Sequence, residues 1–267
     1  MKTNTYLPWV IFNLKEQQFA VSAGQVKEMV KIPPVVSVPG APDNFRGVMN
    51  LRGKVIPVID MRLKMGMPSS LTETQDLIDL LHQREQDHKN WITELEASVR
   101  EKREFTLATD HHKCAFGKWY DTFTTENRVL ANCLKKFDTP HKKIHSIAID
   151  VKAMEEKNDF EGAFQVIQNT RSNELARMIQ LFEEARTLLK EHNKEIALVL
   201  ENKDQLIALA VDAIETIEKI PSSEIEKPAV TSEMPCITGI GKRPDNKGLA
   251  QLLDIDLLIN PNPSTEP

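Results

Sequence analysis

The chain has 267 residues, 40% hydrophobic and 27% charged, which is enough apolar material for one or two compact cores. A formal net charge of -5 speaks against a nucleic-acid partner, which would be met by concentrated basic charge. The apolar run 7–12 is too short for a signal peptide or a spanning helix, and three widely separated cysteines make no disulfide framework, so a reduced cytoplasmic protein without direct membrane insertion is expected.

From Val10 to Leu63, short Val/Ile runs alternate with Pro and Gly, the texture of strands and turns. Within it, Asn50-Leu51-Arg52-Gly53 reads as a turn between two strands, and Pro57 should fit only an edge or a bulge. From about Glu73 to Asn193 helix formers take over, and four helices are predicted. The first, near 74–104, carries Leu81, Glu85, His88, Ile92, Leu95 and Val99 at alternating steps of four and three, a core-facing stripe that includes His88. The second is expected from an N-cap at Asp110 through Cys114, Phe116 and Trp119 to about Thr124. The third opens on Asp138-Thr139-Pro140, with proline at the first helical position, and places His141 and His145 on one face. The fourth, near 161–191, carries Phe164, Ile167, Leu175, Met178, Phe182 and Leu189 and reads as packing alone.

Strand texture returns at Lys194, with Asn202-Lys203-Asp204 as a hairpin turn, and the tail 261–267 reads as disordered. Neither β half, 6–68 or 194–260, is large enough to stand alone. The two should complete one discontinuous domain around an inserted bundle, 73–193, because four antiparallel helices return the chain to its point of entry. The expected class is therefore a multidomain α+β protein.

Five of the seven histidines, His88, His111, His112, His141 and His145, cluster around Cys114. Zinc takes about four N or S ligands, and His141 with His145 at i, i+4 is a standard helical way to offer two imidazoles to one ion, with His88 and Cys114 able to supply the rest. A single histidine on an apolar stripe is usually a satisfied core residue, but three inward ones without a metal would cost about 1–3 kcal/mol each in stranded nitrogens. Cys133 and Cys236 read as small packing residues, and His82 and His192 as surface residues.

The segments His88-Lys-Asn-Trp91, Cys114-Ala-Phe-Gly117-Lys-Trp119 and His141-Lys-Lys-Ile-His145, spaced by 22 and 21 residues, resemble the chemoreceptor zinc-binding (CZB) domain. That resemblance implies a three-histidine, one-cysteine zinc site at His88, Cys114, His141 and His145, with His111 and His112 left to solvent or to a surrounding shell. It also implies a domain that responds to zinc or to hypochlorous acid through a zinc-bound cysteine and often dimerises, so a homodimer through the bundle is open.

The segment from Phe45 to Leu63, around Asn50-Leu51-Arg52-Gly53, resembles the signature of CheW adaptor domains, as do 209–215, 236–241 and 252–256 in the second half. The implied fold is a pair of small β-barrels on a shared core. The implied function is non-enzymatic coupling of chemoreceptors (methyl-accepting chemotaxis proteins) to the histidine kinase CheA in membrane-linked arrays. Val26, Glu28, Val48, Asn50 and Arg52 would lie on the interaction surface, with Glu28 and Arg52 paired. The alternatives are a zinc hydrolase at the same site and an adaptor whose zinc module is purely structural. The first is disfavoured because catalytic zinc keeps a position open for water.

Overall fold

A computed structural model of the chain describes residues 6–192, 195–203, 205–228 and 234–259. It divides into two compact units, residues 1–70 with 194–267, and residues 71–193.

The discontinuous unit is built from two six-stranded sheets. Its strands are β1 (Tyr6–Leu14), β2 (Gln17–Ser22), β3 (Val26–Lys31), β4 (Val35–Val36), β5 (Phe45–Leu51) and β6 (Lys54–Asp60) from the first half. After the short helix α1 (Met61–Lys64) and the insertion come β7 (Ile196–Asn202), β8 (Gln205–Val211), β9 (Ala213–Pro221), β10 (Ile225–Glu226), β11 (Ile237–Lys242), β12 (Leu249–Leu253) and α8 (Ile255–Ile259). One sheet runs β10-β11-β12-β2-β1-β9 and the other β3-β7-β8-β6-β5-β4. Both interleave strands from the two halves, which explains why neither half would stand alone. Where the resemblance implies small barrels, each sheet's order is open among the described residues. The shared core joins Val10, Phe12 and Phe19 of one sheet to Leu198, Leu200 and Leu209 of the other.

Local chemistry fixes the turns. Arg52 and Gly53 both have positive φ (53° and 83°), and Leu51 pairs with Lys54, the two-residue hairpin that the right-handed twist of strands favours. Asn50 Oδ1 accepts from Gly53 N at 2.9 Å and closes it. Lys203 likewise has positive φ where Asn202 pairs with Gln205; Asp204, the other residue of that expected turn, and the tail after residue 259 lie outside the described residues. Pro57 departs from expectation, because β6 is an internal strand. The ladder from β6 to β8 begins only at Val58, so Pro57 has no donor to supply on that side. Gly47 has a φ of 134° and lies against the Val36 carbonyl, where any Cβ would overlap.

Arg243, 2% exposed, is held by carboxylates on β9. It donates to Glu218 at 2.8 and 2.9 Å and to Glu215 at 2.8 and 3.1 Å, and Lys247 adds a further bond to Glu218 at 2.9 Å. The Arg243 hydrogen bonds pull the Glu218 carboxyl from its ordinary 4.5 down to about 2. A carboxyl depressed in the folded state stabilises above its unfolded value and loses that contribution as pH falls through the folded one. The β unit should therefore lose about 3 kcal/mol between pH 5 and pH 2 through this group, measured by denaturant unfolding across that range; Glu218→Gln should flatten the dependence.

The second unit is all helical: α2 (Ser70–Glu101), α3 (Ala115–Tyr120), α4 (Arg128–Lys135), α5 (Asp138–Glu156), α6 (Phe160–Thr170) and α7 (Ala176–His192). All six residues of the α2 stripe are buried. Four details differ from the sequence expectation. The second helix starts at Ala115, after a turn in which Asp110 Oδ1 caps His112 N, and it ends at Tyr120. An unforeseen helix, α4, is capped by Asn127 Oδ1 accepting from Val129 N and Leu130 N, both at 3.1 Å, and buries Leu130, Cys133 and Leu134 at helical spacing. The expected fourth helix is interrupted by a π turn at Arg171–Leu175. Its buried positions run Ala163, Ile167, Thr170, Leu175, Met178, Phe182, and the one step of five is where the wider turn keeps Leu175 facing the core. Helix α5 begins at Asp138 instead of being capped by it, so Pro140 is not its first residue but still sits inside the first turn, where no amide donor is needed.

Candidate metal centre

Long helices position three of the four candidate ligands. The α2 stripe turns His88 inward, and α5 presents His141 and His145 one turn apart on its buried face. The three histidines are 3%, 2% and 1% exposed. Cys114 arrives differently: it is the N-cap of α3, with Sγ accepting from Gly117 N at 3.1 Å. The ligand atoms of His88, Cys114, His141 and His145 all lie within 4.8 Å of one another, and Cys114 Sγ stands 3.2 Å from His141 Nε2. Neighbouring ligands of a tetrahedral zinc stand ~3.3–3.6 Å apart, so the quartet is on the scale of such a site.

The donor set also fits by its hydrogen bonding. His88 Nδ1 lies 2.7 Å from the Arg84 carbonyl, and His145 Nδ1 lies 2.9 Å from the Ala108 carbonyl, so each ring donates outward from Nδ1. Their Nε2 atoms are then lone pairs aimed at the centre, and both are buried without a partner among the described residues. Stranded nitrogens of this kind cost about 1–3 kcal/mol each unless something accepts the lone pair. Burial lowers the His88 value, and burial together with neighbouring imidazoles takes His141 to about 2 and His145 to about 4. All three rings are thus neutral at pH 7 and can donate to a metal without first losing a proton. Burial pushes the Cys114 thiol up, outweighing the Gly117 and Phe116 amides that pull it down. Helix α3, at six residues, does little to offset this, so thiolate at this position depends on a bound cation.

Surrounding residues hold the ligands in place. The Ala108 carbonyl also accepts from Trp91 Nε1 at 2.8 Å, which ties α2 and α5 to one loop atom. Phe116, 1% exposed, packs edge-on against His88 and His141. Gly117 lies against the His111 carbonyl, and a Cβ there would overlap that oxygen. Gly117→Ala should push α3 off this loop and displace Cys114, lowering zinc affinity on the order of tenfold or more in a competitive chelator titration, with the α-helical circular-dichroism signal retained. A cavity of about 310 Å³ lined by His88, Trp91, Ala108, Cys114 and His145 opens onto the centre. Small solutes can therefore reach the Cys114 side.

Among the remaining histidines, His112 is exposed and its Nδ1 lies 2.9 Å from Asp121 Oδ2, His111 is half-buried, and His82 is exposed. The side chain of His192 lies outside the described ones. Cys133 and Cys236 are each 1% exposed in separate cores. The sequence reading missed Arg186 of α7, 5% exposed, whose Nη1 donates to Glu85 Oε2 at 2.6 Å one turn before His88. Glu85, the one charged residue on that buried stripe, is the signal that a buried cation had to face it.

On the β unit, Glu28 and Arg52 form an ion pair at 2.6 Å, with Arg52 largely exposed. Asn50 is exposed on the same turn, while Val26 and Val48 are half-buried, on β3 and β5.

Comparison with known proteins matches the CheW-like domain family over residues 8–88 and 173–261, and the chemoreceptor zinc-binding domain over 88–152. Chemotaxis protein CheW of Bacillus subtilis (strain 168) is 39% identical over 59 residues, 22% of this chain and 38% of the relative. The probable chemotaxis protein CheW of Rhizobium etli is 36% identical over 58 residues, 22% of this chain and 37% of the relative. The alignments thus span less than two-fifths of these relatives' own lengths. The crystal structure of scaffolding protein TtCheW from Thermoanaerobacter tengcongensis is similar at 15% identity and a TM-score of 0.45, over 96% of this chain and 94% of that one.

Proposed function

Because the chain belongs to the CheW-like domain family, we propose that it is a non-enzymatic coupling protein, joining methyl-accepting chemoreceptors to the histidine kinase CheA, with a zinc-dependent chemical input in the inserted bundle. The observation that carries the reading is the buried His88, Cys114, His141 and His145 quartet inside a segment matching a chemoreceptor zinc-binding domain. Four protein ligands leave no position for a catalytic water, which favours sensing or structure over hydrolysis. No helix among the described residues is long and apolar enough to cross a membrane. A cytoplasmic place at the receptor array would come through partners.

Zinc, when bound, holds the Cys114 thiol as thiolate. Hypochlorous acid entering by the open side would transfer chlorine to Cys114 Sγ with release of hydroxide, and water would then displace chloride, releasing a proton and leaving a sulfenic acid. A weaker sulfur donor would alter the tie that His88, Cys114, His141 and His145 make between α2, α3 and α5. Helix α2 continues directly from the β unit and α7 leads back into β7, so a repacked bundle has two covalent routes to the host. Receptor recognition is assigned to Val26, Glu28, Val48, Asn50 and Arg52, where an exposed guanidinium held by Glu28 can meet acidic or polar groups.

Titration of the zinc-loaded chain with a receptor signalling-tip fragment and with the kinase tests this directly. Binding to both is expected, with Arg52→Ala weakening receptor binding about tenfold (~1.4 kcal/mol). Binding to neither would overturn the coupling role.

A further inference from the structure

The turn before α3 carries two imidazoles that the quartet does not use, His111 and His112. His111 faces inward, its ring centroid 5.6 Å from that of His141, the same separation as between His88 and His145, two members of the quartet. Its neighbour His112 lies on the solvent side, its ring centroid 3.9 Å from that of His111 and its Nδ1 engaged with Asp121. The nearest carboxylate to His111 Nδ1 is Asp110 Oδ1 at 3.9 Å, too far to hold the ring by a hydrogen bond. The His111 backbone is anchored on the cysteine side of the centre: its carbonyl lies 3.3 Å from Cys114 Sγ and backs onto Gly117.

From this placement we propose that His111 is a reserve zinc ligand, which takes the fourth position when the Cys114 thiolate is lost. The inference rests on the proposed metal centre and concerns the state reached after oxidation. The position vacated by sulfur lies beside His141, because Cys114 Sγ and His141 Nε2 are 3.2 Å apart, and His141 is the quartet member against which the His111 ring packs. His88, His141 and His145 sit on long helices, whereas His111 lies in the turn between α2 and α3, so that a rotation of its side chain is what the exchange needs. Imidazole and thiolate are both good zinc donors, so the exchange keeps a four-coordinate ion. The consequence is a switch that retains its metal. Oxidation shifts the ion's tether from the N-cap of α3 to the preceding turn and releases the start of α3.

The test compares zinc affinity and coordination in Cys114→Ala, Cys114→Ala with His111→Phe, and Cys114→Ala with His112→Phe, using the full chain. Phenylalanine keeps the ring packing and removes only the nitrogens. Cys114→Ala should keep one zinc per chain, and X-ray absorption should give four imidazole nitrogens around it. Adding His111→Phe should weaken binding by a further factor of about ten or more, while adding His112→Phe should not. Three imidazoles with one water oxygen in Cys114→Ala, or equal affinities in all three variants, would overturn the reserve role and leave the original centre standing. An unsubstituted chain that binds no zinc under metal-replete conditions would overturn both.

Discussion

Replacing His141 with alanine should abolish stoichiometric zinc binding and lower the melting temperature of the bundle by more than about 10 °C relative to the zinc-loaded chain. A ligand that binds only the folded state at a thousand times its dissociation constant stabilises by about 4 kcal/mol, and each kcal/mol moves the midpoint of a small domain by about 2–8 °C. The substitution also removes the imidazole against which Phe116 packs and leaves Cys114 Sγ without its 3.2 Å neighbour. Strong chelation of the unsubstituted chain should produce most of the same loss, because the buried Nε2 atoms of His88 and His145 are then stranded. Scanning calorimetry with and without zinc is the measurement. A midpoint indifferent to chelator would mean that the quartet stands without metal.

Arg186→Met should destabilise the bundle by about 3–5 kcal/mol, since it leaves the carboxylate of Glu85 in the interior with one partner fewer. Arg186 is bonded to Glu85 at 2.6 Å and to Glu183 at 2.7 Å, and Lys89 reaches Glu85 from the solvent side at 2.6 Å. Burial alone would raise the Glu85 carboxyl, but the bonds and charges of Lys89 and Arg186 together hold it below its ordinary value. Its stabilisation is therefore present above the unfolded carboxylate value and lost as pH falls through the lower folded one, so acid and Arg186→Met act on the same pair. The double variant Glu85→Leu with Arg186→Met should recover most of the loss, because well-packed apolar residues replace a buried ion pair at little cost. Equilibrium urea unfolding of the four chains reads the cycle; additive losses would show that the two side chains do not act as a pair.

Periodicity made much of this fold legible. The α2 stripe predicted its six buried residues, and the change from Val/Ile runs to helix formers and back marked a helical stretch within a β-rich chain. What escaped depends on long-range context. Helix α4 is eight residues long and announces itself only by Asn127 and three spaced apolar positions. The π turn adds a residue to a helix whose composition continues unchanged across it. Pro57 was judged by its own chemistry, but its tolerance comes from β8 beginning its ladder one residue later. At the candidate site, histidine spacing pointed to the residues that the fold brings together. It could not reveal the Nδ1 contacts to the Arg84 and Ala108 carbonyls, because one partner lies 37 residues away in a loop and both are backbone atoms. Arg186, 101 residues from Glu85, is of the same kind.

The most direct test of a coupling protein with a zinc-thiolate input is the affinity of the zinc-loaded chain for a receptor signalling tip and for the kinase, measured before and after stoichiometric hypochlorous acid. The account predicts binding to both partners, a severalfold change in at least one affinity on oxidation, and no such change in Cys114→Ala. Two affinities that stay the same after Cys114 has been oxidised would contradict it.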